Sequence, residues 1–489
     1  MKNHKPRTLG ELKEQGYQTT SVKDEMRRNL LRKLRAGEEL FPGIIGYDKT
    51  VIPQVVNAVL ARHDFLLLGL RGQAKTRLIR QLVNLLDEEV PTLHGSPINE
   101  DPLMPLTKHG RDLIAELGDA APIDWIPRAR RYQEKLATPD VSIADLIGDI
   151  DPIKAVSKKL DFSDEEVIHY GIIPRTNRGI FAINELPDLQ ARIQVGLLNI
   201  LEEKDIQIRG FPVRLPLDIL LVFTANPEDY TNRGNIITPL KDRIDAQILT
   251  HYPESLEDAM RITRQEAWIE RGAELGVHPL LSEIIELIAV EARDSDFVDK
   301  SSGVSARMAI SYLETVASAA EARAAIHGES AEARLTDLFP AITALTGKIE
   351  LVYKGEQEGP ASVALHLVGR AIRHAFNSRV VDDYKRGRDR RADFSAFQPI
   401  IDWFEEGNRV ELSTDTSMAE YRKALAAVGG LEEAARKAGL VKSDDESFLM
   451  MEFVVEGLHQ NFLLTKHIVD ARITYTDSVS YMMNELADG

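Results

Sequence analysis

The segment Gly69-Leu70-Arg71-Gly72-Gln73-Ala74-Lys75-Thr76 has the residue types needed to hold a chain of phosphates. Such a site needs backbone N–H groups turned inward and a helix N-terminus aimed at the oxygens. It also needs a lysine that reaches the terminal phosphates and a hydroxyl that ligates magnesium. Gly69, Gly72, Lys75 and Thr76 fit those roles, with Leu70, Arg71, Gln73 and Ala74 completing the cradle. The strict pattern has glycine where Ala74 stands. Alanine is the smallest replacement and is tolerated unless the position requires a positive φ. An ordinary strand-to-helix turn with a solvated lysine would share this local pattern.

Two downstream segments bear on that alternative. Ile180-Phe-Ala-Ile-Asn-Glu185 is an apolar run ending in a polar pair. Glu185 suits polarisation of an attacking water, while Asn184 stands where a magnesium-binding acid is usual and offers an oxygen without a charge. Val222-Phe-Thr-Ala-Asn-Pro227 is a second apolar run with a polar end, where Asn226 can hold the water or the γ-phosphate. An asparagine capping the turn before Pro227 would look the same.

These segments need a sheet to bring them together, and the flanking sequence predicts one. Phe65–Leu68, Gly179–Ile183 and Leu217–Thr224 read as buried strands. Between the last two, Leu189, Ile193, Leu197, Leu198 and Leu201 share a helix face. Before the first strand, Thr50 precedes a helix carrying Val51, Val55, Val56, Val59 and Leu60, and the phosphate loop opens another helix at about Lys75. The alternation is that of an α/β fold with a parallel sheet flanked by helices. Asp205–Pro216 reads as a hairpin around Gly210. Beyond Pro253 the pattern is helical, as in Leu281–Ala292, Ala306–Ala324 and Ala361–Phe376. After the basic break Tyr384–Arg391 the helical reading continues, with Phe448, Met451, Phe453, Val454, Leu458 and Phe462 as a core stripe.

The 489 residues carry a net charge of −17, which argues against general attraction to nucleic acid or anionic membrane. With no cysteine, disulfides, thiolate nucleophiles and Cys-containing metal sites are excluded, and a reducing cytoplasm is the simplest compartment. The N-terminal residues lack an apolar signal-peptide core, and the apolar runs are too short to span a bilayer. Residues 1–36, rich in Arg and Lys, read as a solvated helical arm.

Taken in order, these motifs resemble those of AAA+ ATPases, and within them the MoxR and magnesium chelatase I-subunit group. Phe41-Pro-Gly-Ile-Ile-Gly-Tyr47 is similar to the adenine-side segment, Gly171–Leu189 to the run through the Walker B strand, and Thr224–Glu228 to sensor 1. Pro239–Ile244 resembles the arginine-finger segment and Gly303–Met308 sensor 2. The resemblance covers about residues 40–325. It implies ATP and Mg²⁺ as ligands, with Ile45 and Gly46 beside the base and Thr76 and Asn184 toward the metal. Glu185, Asn226, Arg243 and Arg307 would carry the catalytic roles. Arg243 would reach ATP on a neighbouring copy, so the resemblance implies a closed homo-oligomeric ring, most often a hexamer. Arg175 and Arg178 would face a subunit boundary. The hairpin and Val141–Asp151 would be the pre-sensor 1 and helix 2 insertions, and Arg209 and Arg214 read as solvated hairpin positions. The implied organisation is an arm at 1–36, a nucleotide-binding domain at 37–252, a helical lid at 253–380 and a helical extension at 381–489. Relatives typically act on a partner with a von Willebrand factor A domain, which makes a remodelling ATPase the leading reading. A magnesium chelatase I subunit and a nucleotide-gated scaffold with little turnover stand as alternatives.

Overall fold

The computed structural model describes residues 5–161, 164–208, 214–227, 234–271, 275–380, 394–441, 443, 446–469 and 472–477. The chain forms two compact units, Met1–Tyr252 and Pro253–Gly489.

The first unit opens with helices α1 (Leu9–Glu14), α2 (Val22–Ala36) and α3 (Val51–Leu60). Its central sheet comprises β1 (Phe65–Leu68), β2 (Tyr132–Leu136), β3 (Gly179–Asn184), β4 (Ile219–Ala225) and β5 (Ala246–Leu249). They lie in the order β5-β1-β4-β3-β2, every pair parallel. Helices α4 (Lys75–Gln81), α5 (Ala191–Glu202) and α6 (Thr238–Arg243) complete the described frame around the site.

Continuous apolar strands follow from burial on both faces, because successive side chains point to opposite sides. Leu66, Phe181, Ile183, Leu221 and Phe223 face a core that includes Ile193, Leu197 and Ile200 of α5. Phe65, Leu67, Ile180, Ala182, Leu220 and Val222 face the opposite core, with Val55 and Val59 of α3 and Leu78 and Ile79 of α4.

Helix α2 belongs to that second core, which corrects its reading as a solvated arm. Val22, Met26 and Leu30 are buried in it, at helical spacing. Each such side chain contributes roughly 1.5–3 kcal/mol on burial, more than the solvated charges on the other face can offset. Ser21 caps the helix by accepting from Asp24 N, and Gly37 closes it in a left-handed turn (φ 67°).

Within the Val141–Asp151 segment, Ser142 and Asp145 form a capping box on a short helix, and Gly148–Ile150 pairs with Ile168–Tyr170. The hairpin expected around Gly210 has its arms, Asp205–Gln207 against Arg214–Pro216, while Arg209 and Gly210 lie outside the described residues. Arg214 is exposed, 3.4 Å from Asp205.

In the second unit, helices α7 (Pro279–Asp294), α8 (Ala306–His327), α9 (Pro360–Val380) and α10 (Ser447–Gln460) share one core with residues on both sides of position 380. The region after 380 is not wholly helical. Strands β6 (Val410–Ser413), β7 (Leu464–Val469) and β8 (Arg472–Asp477) form an antiparallel sheet in the order β6-β8-β7. The period-two burial of Ile473 and Tyr475 is a strand signature. Phe462, expected in the core stripe, is 78% exposed at φ 63° just past α10, where its ring meets Arg373. The basic run Lys385–Arg391 lies outside the described residues.

Candidate nucleotide site

The site forms at the carboxyl ends of β1, β3 and β4, where ligands of open parallel sheets bind. Strand β1 ends at Leu68, and the loop from Gly69 delivers the chain to α4 at Lys75. A side chain at Gly69 would collide with Thr250 Oγ1 and Gln73 Oε1, so glycine is required there by close approach. Gly72 has φ 75°. Ala74 has φ 55° and ψ 15°, so this position does use the left-handed region that alanine disfavours.

Lys75 is 7% exposed. Its ammonium donates to Gly69 O, to Leu70 O at 2.9 Å and to Asn226 Oδ1 at 2.7 Å. The Asn226 amide in turn donates through Nδ2 to Glu185 Oε2 at 2.6 Å. A cation, an amide and a carboxylate, each in a separate sequence segment, thus form one hydrogen-bonded chain across the sheet end. It runs from the group that would meet a terminal phosphate to the group that would accept a proton from water.

Glu185 follows β3 with φ 57° and ψ 50°, turning its side chain out of the strand direction. Its N–H donates to Thr224 Oγ1 at 3.0 Å, and that hydroxyl lies 3.4 Å from Asn184 Oδ1. Sequence reasoning did not single out Thr224 as a support. The signal available was a hydroxyl two residues before Asn226 in a fully apolar strand.

Tyr47, which closes the predicted adenine-side segment, also acts as a support. Its hydroxyl donates toward Gln73 O at 2.8 Å and His251 O at 2.9 Å, and burial pushes its pKa up to about 12, keeping it protonated. Ile45 and Gly46 are half-buried just before it, with Gly46 at φ 80°. Thr50 precedes α3 but makes no side-chain cap. Its hydroxyl lies 2.7 Å from His251 Nε2 instead.

Among the described residues no group of three or more His, Cys, Asp or Glu could hold a metal ion. A magnesium ion carried on nucleotide phosphates is held in P-loop sites by a hydroxyl and a carboxylate. Thr76, half-buried on the first turn of α4, matches the hydroxyl, and Asn184, at the end of β3, offers an amide oxygen where the carboxylate is usual.

The predicted arginines lie on other elements. Arg243, at the end of α6, is held by Glu202 Oε2 at 2.7 Å and 2.6 Å and by Pro239 O at 3.0 Å. Arg307 is an exposed residue in the second unit, at the start of α8. Arg178 does not face a subunit boundary. It is 6% exposed, 3.5 Å from Asp101 and 2.8 Å from the Tyr17 hydroxyl, because it anchors the amino end of β3. Arg175 is exposed.

Strand order, loop and polar chain together define a parallel α/β sheet of the P-loop class, with the phosphate-type loop and a polar chain at its carboxyl end. No family model and no curated protein matches the chain. Among solved structures, it is similar to magnesium chelatase in a model of the BchI–BchD complex, at 20% identity over 65% of this chain and 98% of that one, with a TM-score of 0.34. A candidate ATPase from Cytophaga hutchinsonii is 17% identical over 73% and 97%, with a TM-score of 0.31. NtrX from Brucella abortus, in complex with ATP, is 12% identical over 59% and 55%, with a TM-score of 0.33. At such scores none of these likenesses carries weight beside the geometry of the chain itself. No described helix is long and apolar enough to cross a membrane.

Proposed function

We propose that the chain is an ATP-binding and ATP-hydrolysing AAA+ protein of MoxR or magnesium-chelatase type, working in the cytoplasm as a ring that remodels or activates a partner protein. The observation that supports this best is the chain Lys75–Asn226–Glu185 at the end of the sheet. A γ-phosphate can take over the Lys75 and Asn226 contacts. Rotation of the Asn226 amide toward it frees Glu185 to accept a proton from the attacking water. Magnesium, when bound, neutralises charge on the phosphates. Thr76 and Asn184 hold it on this reading, and the neutral Asn184 makes that grip weaker than an aspartate would. The von Willebrand factor A partner and the hexamer are part of the proposal through the motif resemblance, as is Arg307 acting as a nucleotide sensor on a lid at 253–380. Arg243 acts in trans on this reading, exchanging Glu202 for the neighbour's γ-phosphate.

A second reading, a nucleotide-gated scaffold with little turnover, is favoured by the strained Ala74 and by the uncharged Asn184. Steady-state Mg²⁺-dependent ATP hydrolysis by the full chain, with Lys75→Ala as blank, separates the two. Turnover above the blank supports the motor. Tight ATP binding without turnover, persisting in the presence of added partner, overturns it in favour of the scaffold.

A further inference from the structure

We infer that Tyr47 and Thr250 are positioning residues for the phosphate loop, clamping Gln73 so that Ala74 holds a backbone conformation normally reserved for glycine. The inference rests on the proposed nucleotide site and adds to it the groups that keep its loop in shape.

Ala74 sits at the N-cap of α4 with φ 55° and ψ 15° and no side-chain cap bond. An L-residue there tends to relax by rotating the preceding peptide plane. That plane contains Gln73 O and the Ala74 N–H on opposite edges, fixed relative to each other because the peptide unit is planar. Tyr47 holds the oxygen edge, with its hydroxyl 2.8 Å from Gln73 O. The Ala74 N–H is thereby directed away from Tyr47.

Thr250, just beyond β5, holds the same residue by its side chain, with Oγ1 2.7 Å from Gln73 Oε1. Tyr47, Gln73 and Thr250 are 4%, 6% and 8% exposed, so water does not compete freely for these bonds. Tyr47 is itself fixed. Its hydroxyl also reaches His251 O at 2.9 Å, and its ring meets the His251 ring edge-on at 5.1 Å. His251 is oriented in turn by Thr50 Oγ1 and Tyr252 O, each 2.7 Å from a ring nitrogen. The absent side chain at Gly69 leaves the room in which Thr250 and Gln73 meet. The chain thus has tertiary hydrogen bonds where a glycine would have intrinsic freedom.

The test is a double-mutant cycle on the full chain, with MgATP affinity read by calorimetry and thermal unfolding read in parallel. Tyr47→Phe removes one hydroxyl and is expected to weaken MgATP about fivefold. In an Ala74→Gly background the same change is expected to cost less than about twofold, since glycine needs no clamp. Thr250→Val should show the same dependence on residue 74. Equal losses from Tyr47→Phe with Ala or Gly at position 74 overturn the clamp, as does unchanged binding in Tyr47→Phe. If the folded wild type binds no MgATP, the nucleotide reading fails instead. The clamp is then judged by unfolding: a drop in midpoint on Tyr47→Phe that Ala74→Gly suppresses upholds it, and a drop independent of residue 74 overturns it.

Discussion

The two ends of the central sheet are both polar, but they are built differently. At the amino end a charged residue stands immediately before every strand: Asp64, Arg131, Arg178, Asp218 and Asp245. Several are closed into ion pairs. Asp64, 0% exposed, takes Lys23 at 2.8 Å and Lys204 at 2.7 Å and accepts from Leu221 N. Arg131 and Glu25 form a buried two-pronged pair at 2.7 and 2.6 Å, and Arg131 Nε also donates to Arg178 O. At the carboxyl end, Asn226 links Lys75 to Glu185, accepting from the ammonium and donating to the carboxylate. Charges locked to each other organise a fold, and removing one partner is costly. Charges bridged by an exchangeable amide can be handed to a ligand.

The comparison breaks most sharply at Glu185. Replacing it with Gln keeps shape and hydrogen bonding to Asn226 while removing the proposed base. Turnover should fall by roughly 10²–10⁴-fold, with MgATP still bound and the unfolding midpoint nearly unchanged. Steady-state hydrolysis beside calorimetry reads this directly, and undiminished turnover would remove Glu185 from the role of base.

At the opposite end the expected effect has the reverse signature. Arg131→Ala strands Glu25, whose side chain is 4% exposed, without its counter-ion. Stability should drop by about 3–5 kcal/mol, while MgATP affinity per folded molecule changes little. Replacing both partners by apolar residues, Glu25→Leu with Arg131→Met, should recover most of that loss. Urea unfolding of the three proteins measures it. A single variant that lost nucleotide affinity but not stability would mean that the two ends are not separable.

The carboxyl end was far more legible in the sequence than the amino end. Its features are local: an apolar run, a glycine-containing loop and a lysine at a helix start lie within twelve residues, Phe65–Thr76. The strand-end pair Asn184-Glu185 and Asn226 declare themselves in the same way. The partners of the amino end are distant in the chain. Nothing near Glu25 announces Arg131, and the arginines of α2 conceal the Val22, Met26 and Leu30 stripe when charge is read before periodicity. Ala74 shows a third kind of blindness, since side-chain type alone does not reveal the sign of φ. After α10, the strands Leu464–Val469 and Arg472–Asp477 depend on pairing with each other and with Val410–Ser413, so propensity alone carried the helical reading too far.

The finest distinction between the ends is electrostatic and lies at Asp218. Its carboxylate accepts from Val22 N at 3.0 and 2.8 Å, tying the start of α2 to the start of β4. Burial raises its pKa from 3.8 to about 6, against the opposing pull of the Val22 bond and of Arg178 and Arg131. A carboxyl whose folded pKa is raised binds its proton more tightly in the native state. Its contribution is therefore full below about pH 4 and is lost as the pH rises through about 6. The difference in unfolding free energy between wild type and Asp218→Asn should fall across that window by up to roughly 3 kcal/mol, near 1.4 kcal/mol per pH unit at its steepest. A pH-independent difference would show that the Val22 bonds and the nearby Arg178 and Arg131 offset the burial of Asp218.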